Sequence, residues 1–342
     1  MNLNQPNYQA WLIDPKDFPK HGTIEDKIRF LTGYGVLAPS THNTQPWLFT
    51  VNGNALTIMP DLDLRLKEAD PTSRNLYISL GACLYNIEVA AAYFGFNTES
   101  EIVSDKKKVS IQVQFHRAHR RNTKLAYLFP AIPKRYSEKR ILLPVSLSAS
   151  DWSALEPYDS SGVSVAFLKD KLAIQQLAAD VFQAAASYKT NPLFGRELAS
   201  WVRSNKTKRF DGMTGRTSGL TEGKAMVGKF LMSNFPKTMK LFAKKYYKQT
   251  ITSSALGLIA TDDDTPEAWI LTGKAYEQIA LRGVLRNVSL TPMAAMIETD
   301  YRQKLRKYFE GVEIYPQMFF RLVKIDKEAV HTPRRLSRTS IQ

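Results

Sequence analysis

Residues 81–96, GACLYNIEVAAAYFGF, and residues 273–288, GKAYEQIALRGVLRNV, decide how this chain is organised. With Gly81 laid on Gly273, Ile87 aligns with Ile279, Val89 with Leu281, Ala91 with Gly283 and Gly95 with Asn287. Glycine and asparagine are the residue types that tolerate the left-handed cap at a helix end, so the spacing predicts two helices that stop alike. Each is followed by an apolar strand candidate, Val109 to Phe115 in one case and Met318 to Ile325 in the other. Each is preceded by a capped short helix and a strand: Thr23 to Leu31 then Trp47 to Val51, and Ser148 to Leu155 then Val163 to Leu168. The chain therefore reads as two copies of one α+β unit, residues 1–125 and 126–342.

The second copy is longer, and its excess falls at about Tyr188 to Ser254, between its first strand and its long helix. That segment opens with RSNKTKRFDGMTGRTSGLTEGK and continues as KFLMSNFPKTMKLFAKKYYKQT, which is basic and amphipathic. A long insertion within a compact domain is usually functional, so a lid or a partner-binding arm is expected, with a membrane-surface helix as the alternative. Gly212, Gly215, Gly219 and Gly223 offer hinges, and Phe230, Leu231, Phe235, Leu241 and Phe242 offer apolar surface to keep a lid docked.

Of the 342 residues 44% are apolar, enough for a globular core. The formal charge of +15 implies an anionic partner: a phosphate cofactor, nucleic acid or a lipid surface. It concentrates in Lys106 to Arg140, in Arg203 to Lys248, and around Arg334, Arg335 and Arg338. The apolar run from Leu76 to Phe96 carries Asn86 and Glu88 at its middle and reads as a core helix, not a membrane span. Its Cys83 is the one cysteine, which excludes an internal disulfide and a cysteine-based metal site and suggests a core residue. A metal at His116 and His119 would need a third ligand and would face Arg117, Arg120 and Arg121, so a solvated basic segment is favoured. The first residues show no basic, apolar secretory pattern, and a cytoplasmic location is expected. There is no P-loop, GxGxxG or Ser-His-Asp signature.

What the copies do not share is more informative. Only the first has the polar loop Ala38-Pro39-Ser40-Thr41-His42-Asn43-Thr44-Gln45-Pro46-Trp47; the matching stretch of the second is Glu156 to Gly162. Only the second has Lys134-Arg135-Tyr136-Ser137-Glu138-Lys139-Arg140 ahead of its first helix. The loop either satisfies its own backbone or faces a ligand. If the repeat is real, the two stretches can meet across a pseudo-two-fold axis and build one site per chain.

At these residues the chain resembles a known family. APSTHNTQPW is similar to the Pro-Ser-x-x-Asn-x-Gln-Pro-Trp loop of the nitroreductase superfamily, and RYSEK to the Arg-x-Ser-x-Lys/Arg stretch that opens its members. Ordinary members carry both motifs in one subunit of an intertwined dimer with two FMN sites. Splitting them over a double-length chain resembles the Acg-like branch, a fused pseudo-dimer with a single FMN beneath a lid. DPTSRNLYISLGACLYN, ELASWVR, DGM and TPRR also resemble stretches of that branch.

The resemblance implies a nitroreductase-like α+β fold of two tandem copies and a set of FMN contacts. Arg135, Lys139 and the Ser137 hydroxyl would hold phosphate and ribityl oxygens, with Tyr136 contributing backbone. Arg334 and Arg335 match the family's terminal basic pair. Pro39, Ser40, Thr41 and Asn43 would line the isoalloxazine edge, and Gln45 and Trp47 would lock the loop. Pro292, Met293 and Ala294 stand where the family presents backbone N–H groups to flavin N5. The chain departs from the family in reading Pro292-Met293-Ala294-Ala295 where Gly or an acidic residue is usual. It also lacks the recognisable Asn and Lys at the flavin pyrimidine, for which Arg196 and Lys206 are the candidates.

Three functions follow as expectations. The first is an FMN oxidoreductase passing hydride from NAD(P)H to a nitroaromatic or quinone-like acceptor, with no catalytic side chain and no metal required. The second is an FMN storage or sequestration protein. The third is a nucleic-acid or membrane-surface binder working through the insertion, against which stands the lack of any nucleic-acid module. The resemblance implies a monomer with an internal pseudo-two-fold.

Overall fold

Two capping boxes open the helices of the two stretches aligned from sequence. The Thr23 hydroxyl accepts from Asp26 N–H and the Asp26 carboxylate from Thr23 N–H, at 3.2 and 3.0 Å. Ser148 and Asp151 repeat the exchange at the same distances. The computed structural model describes residues 5–105, 108–156, 162–309, 315–326 and 329–341. Residues 157–161 of the second copy's short loop, and Lys106 and Lys107 of the first basic run, lie outside them.

The first part of the chain forms α1 (Ile24–Gly35), β1 (Trp47–Asn52), β2 (Ala55–Pro60), α2 (Arg74–Tyr93), β3 (Phe96–Asp105), β4 (Lys108–Arg117) and α3 (Thr123–Ala126). The second forms α4 (Ala149–Leu155), β5 (Val163–Leu168), α5 (Lys171–Ser187), α6 (Pro192–Ser200), β6 (Val202–Arg203), β7 (Met213–Thr214), α7 (Glu222–Asn234) and α8 (Met239–Ile251). It ends with β8 (Ala255–Thr261), α9 (Pro266–Val284), β9 (Val288–Pro292), β10 (Tyr315–Lys324) and β11 (Thr339–Ile341). The architecture is mixed α+β. One sheet has the order β11-β1-β2-β4-β3 and the other β5-β8-β10-β9, so β1, β2, β4 and β3 have the same order as β5, β8, β10 and β9. Within each set every pairing is antiparallel. The chain end adds β11 parallel to β1, joining the last residues to the first sheet.

Between the sheets, α2 packs along α9, and the contact is reciprocal. A Cβ on Gly81 would stand 2.8 Å from the Ile270 carbonyl carbon, and one on Gly273 would stand 2.8 Å from that of Ile78. Each glycine thus admits the backbone of the other helix one turn before its partner glycine. Both helices end on left-handed residues, Gly95 at φ +83° and Asn287 at φ +54°, the pair aligned from sequence. Cys83 of α2 is fully buried, its sulfur beside Gly35 of α1, and burial pushes its thiol well above the ordinary range. The apolarity of α2 would suit a membrane, but 94% of its most apolar window is buried in the protein.

Seven strands, β2, β3, β6, β7, β8, β9 and β11, escape the sequence reading. β8 is a wholly buried run, ALGLIAT, with no alternation to announce it. β3 is an edge strand rich in polar residues, and β2 and β9 are short. In the first copy β1 and β2 are joined by a tight turn, whereas β5 and β8 are separated by 169–254, so the insertion starts before Tyr188 and includes α5. α5 and α8 cover the second sheet through Leu177, Val181, Ala185 and Ala243 against Leu256, Leu258 and Phe319. The insertion is also held by Phe194, Ala199, Met232 and Met239 against Leu66 and Ala69. Of the expected docking residues, Phe242 packs against this cluster and Leu231 is half-buried, whereas Phe230, Phe235 and Leu241 are 60%, 51% and 59% exposed.

Candidate functional site

The loop between α1 and β1 is strained. His42, Asn43 and Gln45 all have positive φ, at 52°, 60° and 55°, a region that side chains other than glycine rarely enter. Gln45 holds the turn: its Nε2 donates to Phe210 O at 2.7 Å and its Oε1 accepts from Arg335 N–H at 2.8 Å. Trp47 is buried at the start of β1, in the core. Gln45 thus ties the loop to Phe210 and Arg335.

Two arginines from the other copy grip consecutive carbonyls of this loop. Arg135 Nη2 donates to Leu37 O at 3.0 Å and Arg334 Nη2 to Ala38 O at 3.1 Å. Both guanidinium groups are buried, with residue exposures of 4% and 3%. Behind Arg135 stands Glu277 of α9, fully buried, 3.1 Å from Arg135 Nε and pushed up to about 7 by burial. Arg334 lies 5.1 Å above the Trp11 ring, and Trp11 stacks on His331 at 4.0 Å.

These groups line a cavity of about 70 Å3. Of the residues expected to bind a cofactor, Pro39, Ser40 and Asn43 from the first copy line it, with Arg135, Tyr136, Ser137, Lys139 and Arg334 from the second. Trp11, Met213, Thr217, Val330, His331 and Thr332 complete it. No carboxylate is among the lining residues, while three cations are. Desolvation, with the Arg334 charge, lowers the Lys139 ammonium to about 8, and its nearest described partner is Met213 Sδ at 3.5 Å. Burial, then Arg135 and Arg334, pulls His331 down to about 3, and burial and Lys139 do the same to His42, so both rings are neutral. Asn43 Oδ1, His42 Nε2, His331 Nδ1 and Arg334 Nε are buried without a hydrogen-bond partner.

The donor set fits the phosphate end of FMN: a cationic pocket with unsatisfied polar atoms is costly until an anion fills it. By volume it holds roughly five waters, enough for a phosphate group and too little for a three-ring flavin. Met213 and Thr217, both from the insertion, stand where more room would have to open.

Five expected residues lie elsewhere. Thr41 is outside the lining. Arg335 clamps the insertion to the loop, donating to Thr44 O at 2.7 Å and to Asp211 Oδ2 at 2.8 Å. Pro292 ends β9 and Met293 and Ala294 follow it; β9 runs beside the basic stretch through Ser289 Oγ to Tyr136 O at 2.8 Å and Thr291 Oγ1 to Glu138 O at 2.9 Å. The Met293 N–H is already committed to Phe319 O at 2.8 Å, so it is not presented to a ligand. Arg196 and Lys206 are exposed and outside the cavity.

The sequence reading missed Arg321 altogether. It is fully buried in β10 and holds the basic stretch open by donating to Glu138 O and Arg140 O, each at 2.7 Å. Lone arginines in apolar strands give no local signal. Thr332 opens the TPRR stretch and His331 adjoins it, so both could have been read with it; Trp11 could not.

The insertion covers the site by direct bonds to the loop. Asn43 Nδ2 donates to Gly212 O at 3.0 Å and Gly212 N–H to Asn43 O at 3.3 Å. Asp211 accepts from Arg203 Nε at 3.0 Å and from Arg335. Gly212 and Gly219 have φ of +78° and +71°, conformations that require glycine, at two of the four expected hinges.

No protein-family model matches the chain. Over 319 residues, 90% of this chain and 88% of theirs, it is 25% identical to proteins from two strains of Mycobacterium tuberculosis, each named "Putative NAD(P)H nitroreductase".

Proposed function

We propose that the chain is a cytoplasmic, FMN-dependent oxidoreductase of nitroreductase type. Residues 1–125 and 126–342 form an internal pseudo-dimer of the Acg-like kind, a monomer with one site. The observation that carries this reading is that the polar loop of one copy and the basic stretch of the other, each present once, line a single cationic cavity. The similarity over nine tenths of the chain to proteins named as NAD(P)H nitroreductases supports the reaction class.

Bound there, FMN would supply hydride transfer, accepting from NAD(P)H and reducing a nitroaromatic or quinone-like acceptor. The chain's own residues bind and orient. Arg135, Lys139 and Arg334 neutralise the phosphate dianion, and Ser137 supplies a hydroxyl beside it. Glu277 fixes the Arg135 fork from behind. Pro39, Ser40 and Asn43 set one wall, and Met213 and Thr217 exclude water until the insertion moves.

A second reading, FMN storage with little turnover, is favoured by the bonds that tie residues 210–212 to the loop and by the small volume. One experiment separates the two. The flavin-loaded protein is mixed anaerobically with NADH or NADPH in a stopped-flow spectrometer and then with a nitroaromatic or a quinone. Bleaching of the flavin band followed by its return supports the oxidoreductase. Bound flavin that does not bleach refutes it in favour of storage.

A further inference from the structure

A larger hollow lies outside the cationic cavity, between α5 and α8. It measures about 690 Å3 and its surface is mainly apolar, formed by Ala179, Phe182, Leu241, Tyr247, Ile251 and, from the end of the basic stretch, Ile141. That volume is in the range of small-molecule sites, about 300–1,000 Å3. The two helices pack closely where they face the sheet, through Ala185 and Ala243, and leave the groove on their outer side. Its lips are uncovered: Ile141, Leu241 and Ile251 are 45%, 59% and 36% exposed. Apolar surface left in water beside a concave site marks a place where something binds.

The charge of the lining says what kind of thing. Lys244, Lys245 and Lys248 line the groove and no acidic residue does. Lys245 has no hydrogen-bond acceptor or ion-pair partner among the described residues. Burial lowers its ammonium to about 8, with repulsion from Lys139 and Arg321 adding to the effect and Glu138 opposing it. A half-buried cation repelled by two others lacks a counter-charge, and the adjoining wall is hydrocarbon. One molecule satisfies both at once when an anionic head is joined to an alkyl chain.

We propose that this groove binds a single-chain anionic amphiphile, a long-chain carboxylate whose head meets Lys245 and whose tail lies along Phe182, Leu241 and Ile251. A hollow of about 690 Å3 between two helices has room for one inserted chain. The site is separate from the flavin reading and stands or falls without it.

The test titrates the purified full chain with cis-parinaric acid, a fluorescent 18-carbon carboxylate, below its micellar concentration, and with its uncharged methyl ester. Saturable binding of one acid per chain is expected, with the ester at least tenfold weaker. Ala179→Trp, at an exposed position in the groove wall, should reduce acid binding at least tenfold by filling the hollow. Gln183→Glu, also exposed and in the lining, should weaken the acid several-fold and leave the ester unchanged. Because Gln183→Glu adds no bulk, it tests the site even if the tryptophan variant fails to fold. The proposal is overturned by absence of saturable binding, by equal affinity for acid and ester, or by acid binding indifferent to Gln183→Glu. Co-sedimentation with phosphatidylglycerol vesicles without uptake of the free acid would make the groove a membrane face and would also overturn it.

Discussion

Replacing Gly81 or Gly273 by alanine should break the close contact between α2 and α9. Two opposing terms set the size. Alanine is the better helix former by about 1 kcal/mol, which favours the variant. Against that, the new Cβ of either variant would collide with a carbonyl oxygen of the facing helix, with the carbonyl carbon at 2.8 Å where carbon atoms ordinarily rest at about 3.5–4.0 Å. The obstacle is backbone on both sides, so no rotamer change relieves it and the helices must part by roughly 1 Å. Overpacking against a rigid neighbour costs about 3 kcal/mol at the upper end of its usual range, leaving each variant about 2 kcal/mol less stable. The control is Gly228 in α7, around which a Cβ would meet nothing within 4 Å. Gly228→Ala keeps only the propensity term and should gain about 0.5–1 kcal/mol. Urea unfolding at constant slope reads both shifts in the midpoint. The double variant should fall short of the sum, since one separation relieves both clashes. Alanine at 81 or 273 matching the gain at 228 would refute the close crossing.

Other outcomes follow from the site. Lys139 is held near 8 against an ordinary 10.5, so between those values the unfolded chain binds more protons than the folded one, and this group adds stability as pH rises through that window. A bound phosphate dianion would raise Lys139 again, so FMN affinity should fall as pH rises above about 8, by at most about tenfold per unit; Lys139→Arg should flatten the fall, and a flat wild-type profile in fluorescence titrations would contradict this. Asp211→Ala removes the acceptor shared by Arg203 and Arg335 and should speed exchange of bound FMN against added riboflavin phosphate analogue; an unchanged rate would show that this strap does not hold the cover. Glu277→Gln leaves the buried Arg135 without its counter-ion, so added FMN should raise the melting temperature of this variant by more than it raises that of the parent.

The parts of the fold legible in the sequence are those written locally. Thr23 with Asp26 and Ser148 with Asp151 announce helix starts at a spacing of three, and Gly95 and Asn287 announce helix ends. Gly81 and Gly273 mark the repeat because close backbone approach tolerates nothing larger. The site was legible where a motif carries several residues together, as in Pro39 to Asn43 and Arg135 to Lys139. It was not legible where the fold brings in single side chains from afar. Trp11 enters by stacking on His331, and Met213 enters from the insertion. Arg321 sits in a strand that reads as plain hydrophobic core, although its guanidinium organises the backbone of the basic stretch. The insertion misled in another way. Of its aromatic residues read as docking surface, Phe242 packs with Met232, Met239 and Phe194, while Phe230 and Phe235 face solvent.

The central claim is that two half-motifs, each occurring once, make one flavin site per chain. The flavin released by denaturing a known amount of FMN-saturated protein tests it most directly, measured in parallel on Arg135→Ala. The account predicts a yellow protein that releases one FMN per chain. Losing a buried, charge-assisted donor costs about 1.5–3 kcal/mol, so the variant should hold FMN at least about tenfold more weakly. A protein that stays colourless after incubation with FMN, one that releases two per chain, or a variant that retains FMN as the parent does would contradict it.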